Sequence, residues 1–180
     1  METIQAITGR RSVRKYKEET VSRELMTEII DITRFAPSWT NSQTPRWTLV
    51  DDLETIKRFS NESVKDFIYN TDTLKTAPGV AILSFVQGKS GIVTKYGLEG
   101  DNSSKWEVFD AGIAAQTFCL TAHAKGVATC ILGVIDEESI GEIIDLPEDE
   151  AVAAIIVYGL AAEEPKAPRR RDVSQLLRWG

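Results

Sequence analysis

The chain has 180 residues, 42% of them hydrophobic and 27% charged, a composition typical of a single globular domain and not of a disordered or fibrous protein. Its formal net charge of -6 argues against a surface built for nucleic acid or an anionic membrane. Two cysteines, Cys119 and Cys130, and one histidine, His123, provide neither a disulfide framework nor the ligand spacing of a metal site.

The N-terminal residues 1–8 lack a basic region followed by an apolar run, so no signal peptide is expected. No stretch reaches the ~20 apolar residues that would span a bilayer. These features predict a cytoplasmic protein without a membrane segment.

The first half of the chain predicts one helix, two strands and a second helix between those strands. Ser22 as N-cap and apolar residues at helical spacing predict an amphipathic helix over 21–35, which stops before Pro37. A short strand is predicted over 47–50, and a nearly all-apolar one over 80–86 is expected at the centre of a sheet. Residues 87–105, rich in Gly, Ser, Lys and Asn, predict a surface excursion near a functional site.

The second half begins with a long predicted helix over 107–125, which Gly126 ends. Its many small residues suit either a helix buried in the core or a subunit interface. A buried strand over 127–132, an acidic helix over 137–144 and an apolar strand over 151–158 follow. The tail, 159–180, ends in an apolar piece over 173–179 that is expected to dock on another surface.

The sequence lacks the backbone motifs that hold nucleotides. Gly88-Lys89-Ser90 resembles the end of a P-loop, but Leu83 stands where the upstream glycine is required. There is no G-x-G-x-x-G, so any phosphate must be held by side chains. His123, beside two alanines in a predicted helix, is interpreted as a structural or surface histidine.

A basic segment near the N-terminus, R-R-S-V-R-K-Y over 10–16, is the densest chemical signal. Arginine forks match phosphate oxygens, and the Ser12 hydroxyl adds a donor, so this spacing suits one phosphoryl group. A solvated basic segment is the alternative interpretation. A second basic run, Arg169 to Arg171, favours the hypothesis that both ends of the chain bind one anion.

A proline-braced loop over 36–47 is the second signal. It presents Ser, Asn and Gln side chains between two tryptophans, Trp39 and Trp47, which suits a planar heteroaromatic ligand. An ordinary turn between a helix and a strand, with two packed tryptophans, is the alternative.

These segments, with D-A-G-I-A-A-Q at 110–116, A-H-A-K-G-V-A-T-C-I-L-G at 122–133 and P-R-R-R-D-V-S-Q-L-L at 168–177, resemble the nitroreductase family of flavin enzymes. The resemblance implies one α+β domain over 1–180, with a mostly antiparallel central sheet flanked by helices. It also implies an intertwined homodimer with FMN at the interface, in which the extension 159–180 wraps the partner subunit.

The resemblance further implies the cofactor contacts. The basic segment holds the phosphate, ribityl chain and pyrimidine edge of the flavin, and a basic residue near the C-terminus adds to the phosphate grip. The loop contacts the flavin, partly from the other subunit, and two backbone amides face its reactive edge. The matching residues are Arg10, Arg11, Ser12 and Arg14; Arg170, then Arg169; Pro37, Ser38, Trp39, Asn41 and Gln43; and Leu132 and Gly133, with Asn70 as a looser match.

Three positions depart from the family pattern: Thr44, Arg46 before Trp47, and Ile131 after Thr129-Cys130. They fall on the substrate side, which leaves the substrate class more open than the cofactor. The expected activity is a ping-pong reaction in which NADH or NADPH reduces FMN and an electron-poor acceptor, such as a nitroaromatic or quinone, is then reduced. The flavin carries the chemistry, so no catalytic side chain is predicted.

A flavin-binding or redox-sensing protein with little turnover remains an alternative function. A nucleic-acid-binding module is disfavoured because residues 136–150 carry eight acidic groups and no basic one.

Overall fold

The computed structural model describes residues 1–97 and 103–180, and its centre is a sheet of four antiparallel strands. The strands lie in the order β1-β2-β4-β3 and span Pro45–Val50 (β1), Gly79–Val86 (β2), Ala128–Leu132 (β3) and Glu150–Gly159 (β4). The predicted antiparallel sheet flanked by helices is confirmed.

Helices cover both faces of this sheet. In the described residues they span Thr3–Gly9 (α1), Arg23–Thr33 (α2), Leu53–Glu62 (α3), Ile68–Thr76 (α4), Ser103–Ala124 (α5) and Glu137–Ile143 (α6). Short 3-10 turns occupy Trp39–Asn41, Thr94–Tyr96 and Val173–Gln175. No helix of the described ranges is long and apolar enough to cross a membrane.

The nearly all-apolar strand β2 is central, as predicted, and all eight of its residues are buried. Alternate side chains point to opposite faces of a strand, so each face of β2 needs its own cover. Val80 and Ile82 pack into a core with α3 and α6, whereas Ala81 and Leu83 pack into a second core with α2 and α5. Two helical layers therefore explain why the strand sequence does not alternate.

Helix α5 packs its small residues against the sheet. Ala111, Ala115 and Ala122 are buried in the same core as Phe118. The burial of these alanines confirms the interpretation of α5 as a core helix. Small side chains let the helix approach the sheet closely.

Several boundaries differ from the predictions. Helix α1 was not predicted, because only its Ala6 is buried and the segment has no apolar stripe. Two helices, α3 and α4, lie where one was expected between the first two strands. Helix α5 begins at Ser103, so residues 103–105 of the predicted excursion belong to it, and residues 98–102 lie outside the described residues.

The basic segment over 10–16 runs beside the sheet edge. Ser12 pairs in parallel with Thr129 of β3, where the Val13 N–H donates to the Thr129 carbonyl over 3.1 Å. Further along, Tyr16 pairs with Ala161, just after β4. These backbone bonds fix the segment between the edge strand and the start of the tail.

Candidate functional site

The basic segment lines a cleft of about 300 Å³ whose opposite wall comes from the tail. The segment contributes three arginines and one serine, and the tail contributes Pro165, Lys166, Pro168 and Arg170. The residues from the segment are Arg10, Arg11, Ser12 and Arg14. The structure thus brings Arg170 to the four predicted phosphate-binding residues. Arg169 does not line this cleft, but it lies with Arg170 and Arg171 along a shallow, exposed cleft of the tail.

Burial varies along the basic segment. Val13 and Tyr16 are buried in the core, whereas Arg14 is exposed. The Tyr16 hydroxyl donates to the Val13 carbonyl over 2.6 Å, and burial raises the pKa of this phenol well above its usual value. The Arg14 N–H donates to the Glu163 carboxylate over 2.8 Å, which ties the segment to the tail. The backbone is therefore held at both ends of the cationic stretch.

Arg10 carries an unsatisfied donor. Its Nε is buried and has no hydrogen-bond partner among the described residues. Leaving a buried donor unpaired costs about 1–3 kcal/mol, more when the group is charged, so an anion that accepts from Nε is favoured. Arg11 is already engaged, because its Nη1 donates to the carbonyls of Thr8 and Arg10 over 2.7 and 2.8 Å at the end of α1.

His123 lies closer to this site than the sequence indicated. It lines a neighbouring cleft of about 540 Å³ together with Arg10, Arg11 and Glu163. Partial burial lowers the pKa of His123, and the positive charges of Arg10 and Arg11 lower it further. The two neighbouring alanines do not indicate this proximity.

Residues 37–43 of the predicted loop over 36–47 have an unusual backbone. Thr40, Asn41 and Gln43 all adopt the left-handed region, with φ of 45°, 56° and 49°. Asparagine tolerates this region, but such angles are uncommon for threonine and glutamine. Pro37, Asn41 and Gln43 are exposed, and Ser38 accepts a hydrogen bond from the Gln43 N–H over 2.9 Å.

Asp110 of α5 anchors this loop. Its buried carboxylate accepts the Trp39 N–H, over 3.0 Å to Oδ1 and 3.1 Å to Oδ2, and the Ser42 hydroxyl over 3.2 Å. The sequence motif at 110–116 contained Asp110, but no role was predicted for it. An aspartate in a predicted helix rich in alanine is the sequence feature that could have indicated this role.

The loop lines a second cleft of about 170 Å³, formed with α2 and β1. Pro37, Ser38 and Gln43 border it, next to Arg46 and Trp47. Among the described residues, this cleft shares no lining residue with the one formed by the basic segment and the tail. Three of the predicted loop residues, Pro37, Ser38 and Gln43, therefore line a different cleft from the predicted arginines. Trp39 and Asn41 line neither cleft.

Two of the three departures from the family pattern, Thr44 and Arg46, make contacts that stabilise the fold. The Thr44 carbonyl accepts the Val86 N–H over 3.0 Å, which extends the β1–β2 pairing by one residue. Arg46 Nη1 donates to the Gln43 carbonyl over 2.8 Å, and Trp47 stacks on Phe118 with ring centroids 4.7 Å apart. The packed-tryptophan interpretation thus holds for Trp47.

Leu132 and Gly133 lie at the end of the edge strand β3. Leu132 is buried and pairs with Ile155, whereas Gly133 is exposed with open space where a side chain would be. Asn70 of α4 is buried, and its amide donates to the Val134 carbonyl over 2.8 Å. Asn70 thus supports the turn that follows Gly133.

Apolar surface remains exposed on α5 and on the tail. Val108 and Phe109 are each more than half exposed, and they line a shallow apolar cleft with Gly112 and Ile113. The tail exposes Val173, Leu176, Leu177 and Trp179. Contiguous apolar surface of this kind is typical of an interface, although this structure of one chain does not show the predicted docking of the tail.

A family model and curated relatives match most of the chain. The model of the nitroreductase family matches residues 7–160. An FMN reductase (NAD(P)H) of Bacillus subtilis is 25% identical over 185 residues, which cover 93% of this chain and 71% of that protein. A 4-nitrobenzoate reductase of Pseudomonas putida is 27% identical over 161 residues, which cover 69% of each protein.

Solved structures share the fold. A protein of Exiguobacterium sibiricum 255-15 that is assigned to the nitroreductases, crystallised in complex with FMN, has a TM-score of 0.88 at 19% identity. The superposition covers 100% of this chain and 98% of that one. A nitroreductase family protein of Streptococcus pneumoniae TIGR4 has a TM-score of 0.87 at 15% identity, covering 99% and 100% of the two chains.

Proposed function

The chain belongs to the nitroreductase family, and on that premise we propose that it is an FMN-dependent oxidoreductase. It takes electrons from NADH or NADPH and passes them to electron-poor small molecules such as nitroaromatics or quinones. The relatives named as an FMN reductase and as a 4-nitrobenzoate reductase support this reaction class. When bound, FMN supplies the hydride chemistry, and the protein supplies binding, orientation and charge.

The buried, unpartnered Nε of Arg10 is the observation that carries the proposal. Arg10 borders the cleft together with Arg11, Arg14 and Arg170, so four arginines line one space. A phosphate group fits this donor set, because guanidinium forks bind phosphate oxygens with two parallel hydrogen bonds. The residues present therefore fit the phosphate of FMN.

Each predicted site residue has a proposed task toward FMN. Arg10, Arg14 and Arg170 hold the phosphate, and the Ser12 hydroxyl donates to it. Arg11 contributes positive charge from its capping position, and Arg169 adds charge from the tail. The loop residues and the backbone at Leu132 and Gly133 contact the flavin ring system. The loop residues are Pro37, Ser38, Trp39, Asn41 and Gln43.

We propose a homodimer in which one FMN contacts residues of both chains. Among the described residues of one chain, the cleft of the basic segment and the tail (the arginine cleft) shares no lining residue with the cleft beside the loop (the loop cleft). This supports a site built from the arginine cleft of one chain and the loop cleft of the other. The exposed apolar surfaces of α5 and the tail supply a contact area for the second copy.

Steady-state turnover tests the proposed reaction. We expect the FMN-loaded protein to oxidise NADH or NADPH when a nitroaromatic or a quinone is present, and to oxidise it much more slowly without an acceptor. A protein that retains FMN but shows no acceptor-dependent oxidation contradicts the enzymatic proposal and favours a flavin-binding or redox-sensing protein.

A further inference from the structure

Asp110 accepts hydrogen bonds from two segments that lie far apart in the sequence. From one side come the Trp39 N–H and the Ser42 hydroxyl of the loop over 38–43. From the other side the buried Ser90 hydroxyl donates to Asp110 Oδ2 over 2.7 Å. One carboxylate oxygen therefore serves both Ser42 and Ser90.

The loop over 38–43 needs such an anchor because its backbone is strained. Three of its residues that are not glycine have positive φ, and each costs on the order of 1 kcal/mol. Strain of this size persists only where the surroundings hold the conformation. The bonds to Asp110 hold the loop at Trp39 and Ser42.

The segment over 87–97 is tied to α5 in the same way. Glu107, one turn before Asp110, is buried and accepts the Gly88 N–H over 2.6 Å. The segment also contacts the loop directly, since the rings of Tyr96 and Trp39 lie 5.8 Å apart, centroid to centroid. Trp39 lies 6.4 Å from Trp106 of α5 by the same measure. Loop, segment and helix thus form one connected unit.

We propose that Asp110 is a positioning residue that couples the loop over 38–43 to the segment over 87–97, so that the two hold or lose their conformation together. An aspartate suits this task because both of its oxygens accept, whereas asparagine offers one acceptor oxygen. We also expect FMN to be lost faster when the contacts of Asp110 are removed. This expectation rests on the proposed function, but the coupling itself does not.

Ser90→Ala is the sharpest test because Ser90 lies outside the loop. Its matched control is Ser84→Ala, which removes another buried serine hydroxyl bonded to a carboxylate, that of Glu150, over 2.6 Å. Hydrogen exchange of the purified protein reports the mobility of the loop over 38–43 in both variants. We expect Ser90→Ala to speed this exchange several-fold and Ser84→Ala to leave it unchanged. Equal loop exchange in the two variants overturns the coupling.

Asp110→Asn extends the test to both segments. We expect exchange to rise on the order of tenfold in the loop and in the segment together, since hydrogen bonds to a charged group are lost. A rise in one segment alone contradicts the coupling. If Asp110→Asn does not fold, as far-UV circular dichroism would show, the two serine variants decide the question.

The rate of FMN release links the coupling to the cofactor. We expect Ser90→Ala to release FMN several-fold faster than the Ser84→Ala control. Faster loop exchange with an unchanged release rate supports the coupling and overturns its role in cofactor retention, so the two claims fail separately.

Discussion

At the residue scale, two neighbouring arginines have different surroundings. Arg11 caps α1, whereas the Arg10 Nε is buried and has no hydrogen-bond partner among the described residues. The spacing of Arg10, Arg11 and Arg14 in the sequence suits one phosphoryl group, but it does not show this difference. This difference depends on where α1 ends, which the sequence did not reveal.

Arg14→Ala tests the proposed phosphate contact. The guanidinium group is exposed at the cleft, and the N–H that binds Glu163 belongs to the backbone and is retained. We expect the Kd for FMN to rise on the order of tenfold or more, because a charge-assisted hydrogen bond to phosphate is lost. Equilibrium titration followed by flavin fluorescence measures the change.

Arg58→Ala is the matched control, because Arg58 is an exposed arginine of α3 that pairs with Glu62 away from the cleft. Its Kd for FMN should equal that of the wild type. Equal affinities in all three proteins would rule out the assigned role of Arg14.

His123→Gln tests the electrostatic environment of the same site. Because the folded protein lowers the pKa of His123 from its usual 6.5, the unfolded chain takes up a proton at a higher pH than the folded one. Folding stability is therefore lost as the pH falls from about 7 through this window. We expect the fall in Tm between about pH 7.5 and pH 5.5 to be smaller in His123→Gln, as measured by circular dichroism. An equal fall in both proteins would contradict the predicted shift.

At the element scale, apolar patterning predicted the strands well and the polar helices poorly. The fully buried β2 and the mostly buried β4 follow from their nearly continuous apolar runs. Helix α1 lies mostly in solvent, and α3 and α4 are short, so neither periodicity nor length resolved them. Among site elements, the loop position was predictable, but its anchoring by Asp110 depends on tertiary contact.

Gly159 at the end of β4 tests how tightly the basic segment packs on the sheet. A Cβ at this position would lie 2.6 Å from Cγ of Pro78 and 2.9 Å from Cδ1 of Tyr16. Both are rigid rings, so we expect Gly159→Ala to lower the free energy of unfolding by about 1–3 kcal/mol in urea denaturation.

Gly141→Ala in α6 is the control, because its Cβ would meet only Leu146 at an ordinary 3.7 Å. Replacing a helical glycine by alanine should stabilise the protein by up to about 1 kcal/mol. A Gly159→Ala variant as stable as the wild type would show that the basic segment shifts away from the added Cβ at little cost in free energy.

At the scale of the whole molecule, the two clefts make a prediction about mixed dimers. Two variant chains each carry one defective half of the proposed site. One has Arg14→Ala, and the other has both Asn41→Ala and Gln43→Ala. In a dimer that contains one of each, one FMN site combines both defects and the other has none.

Co-expression of the two chains should therefore restore wild-type FMN affinity in about a quarter of the sites, since about half of the dimers are mixed. Titration with FMN would show this tight fraction, which each variant alone lacks. Its absence from a verified mixed dimer would mean that both halves of a site belong to one chain.

FMN binding is tested most directly by the visible absorption spectrum of the purified protein, after FMN is added and the excess is removed by gel filtration. We expect a flavin spectrum of one FMN per chain that elutes with protein at the size of a dimer. Protein that elutes without flavin would contradict the proposal that the arginine cleft and the loop form an FMN site.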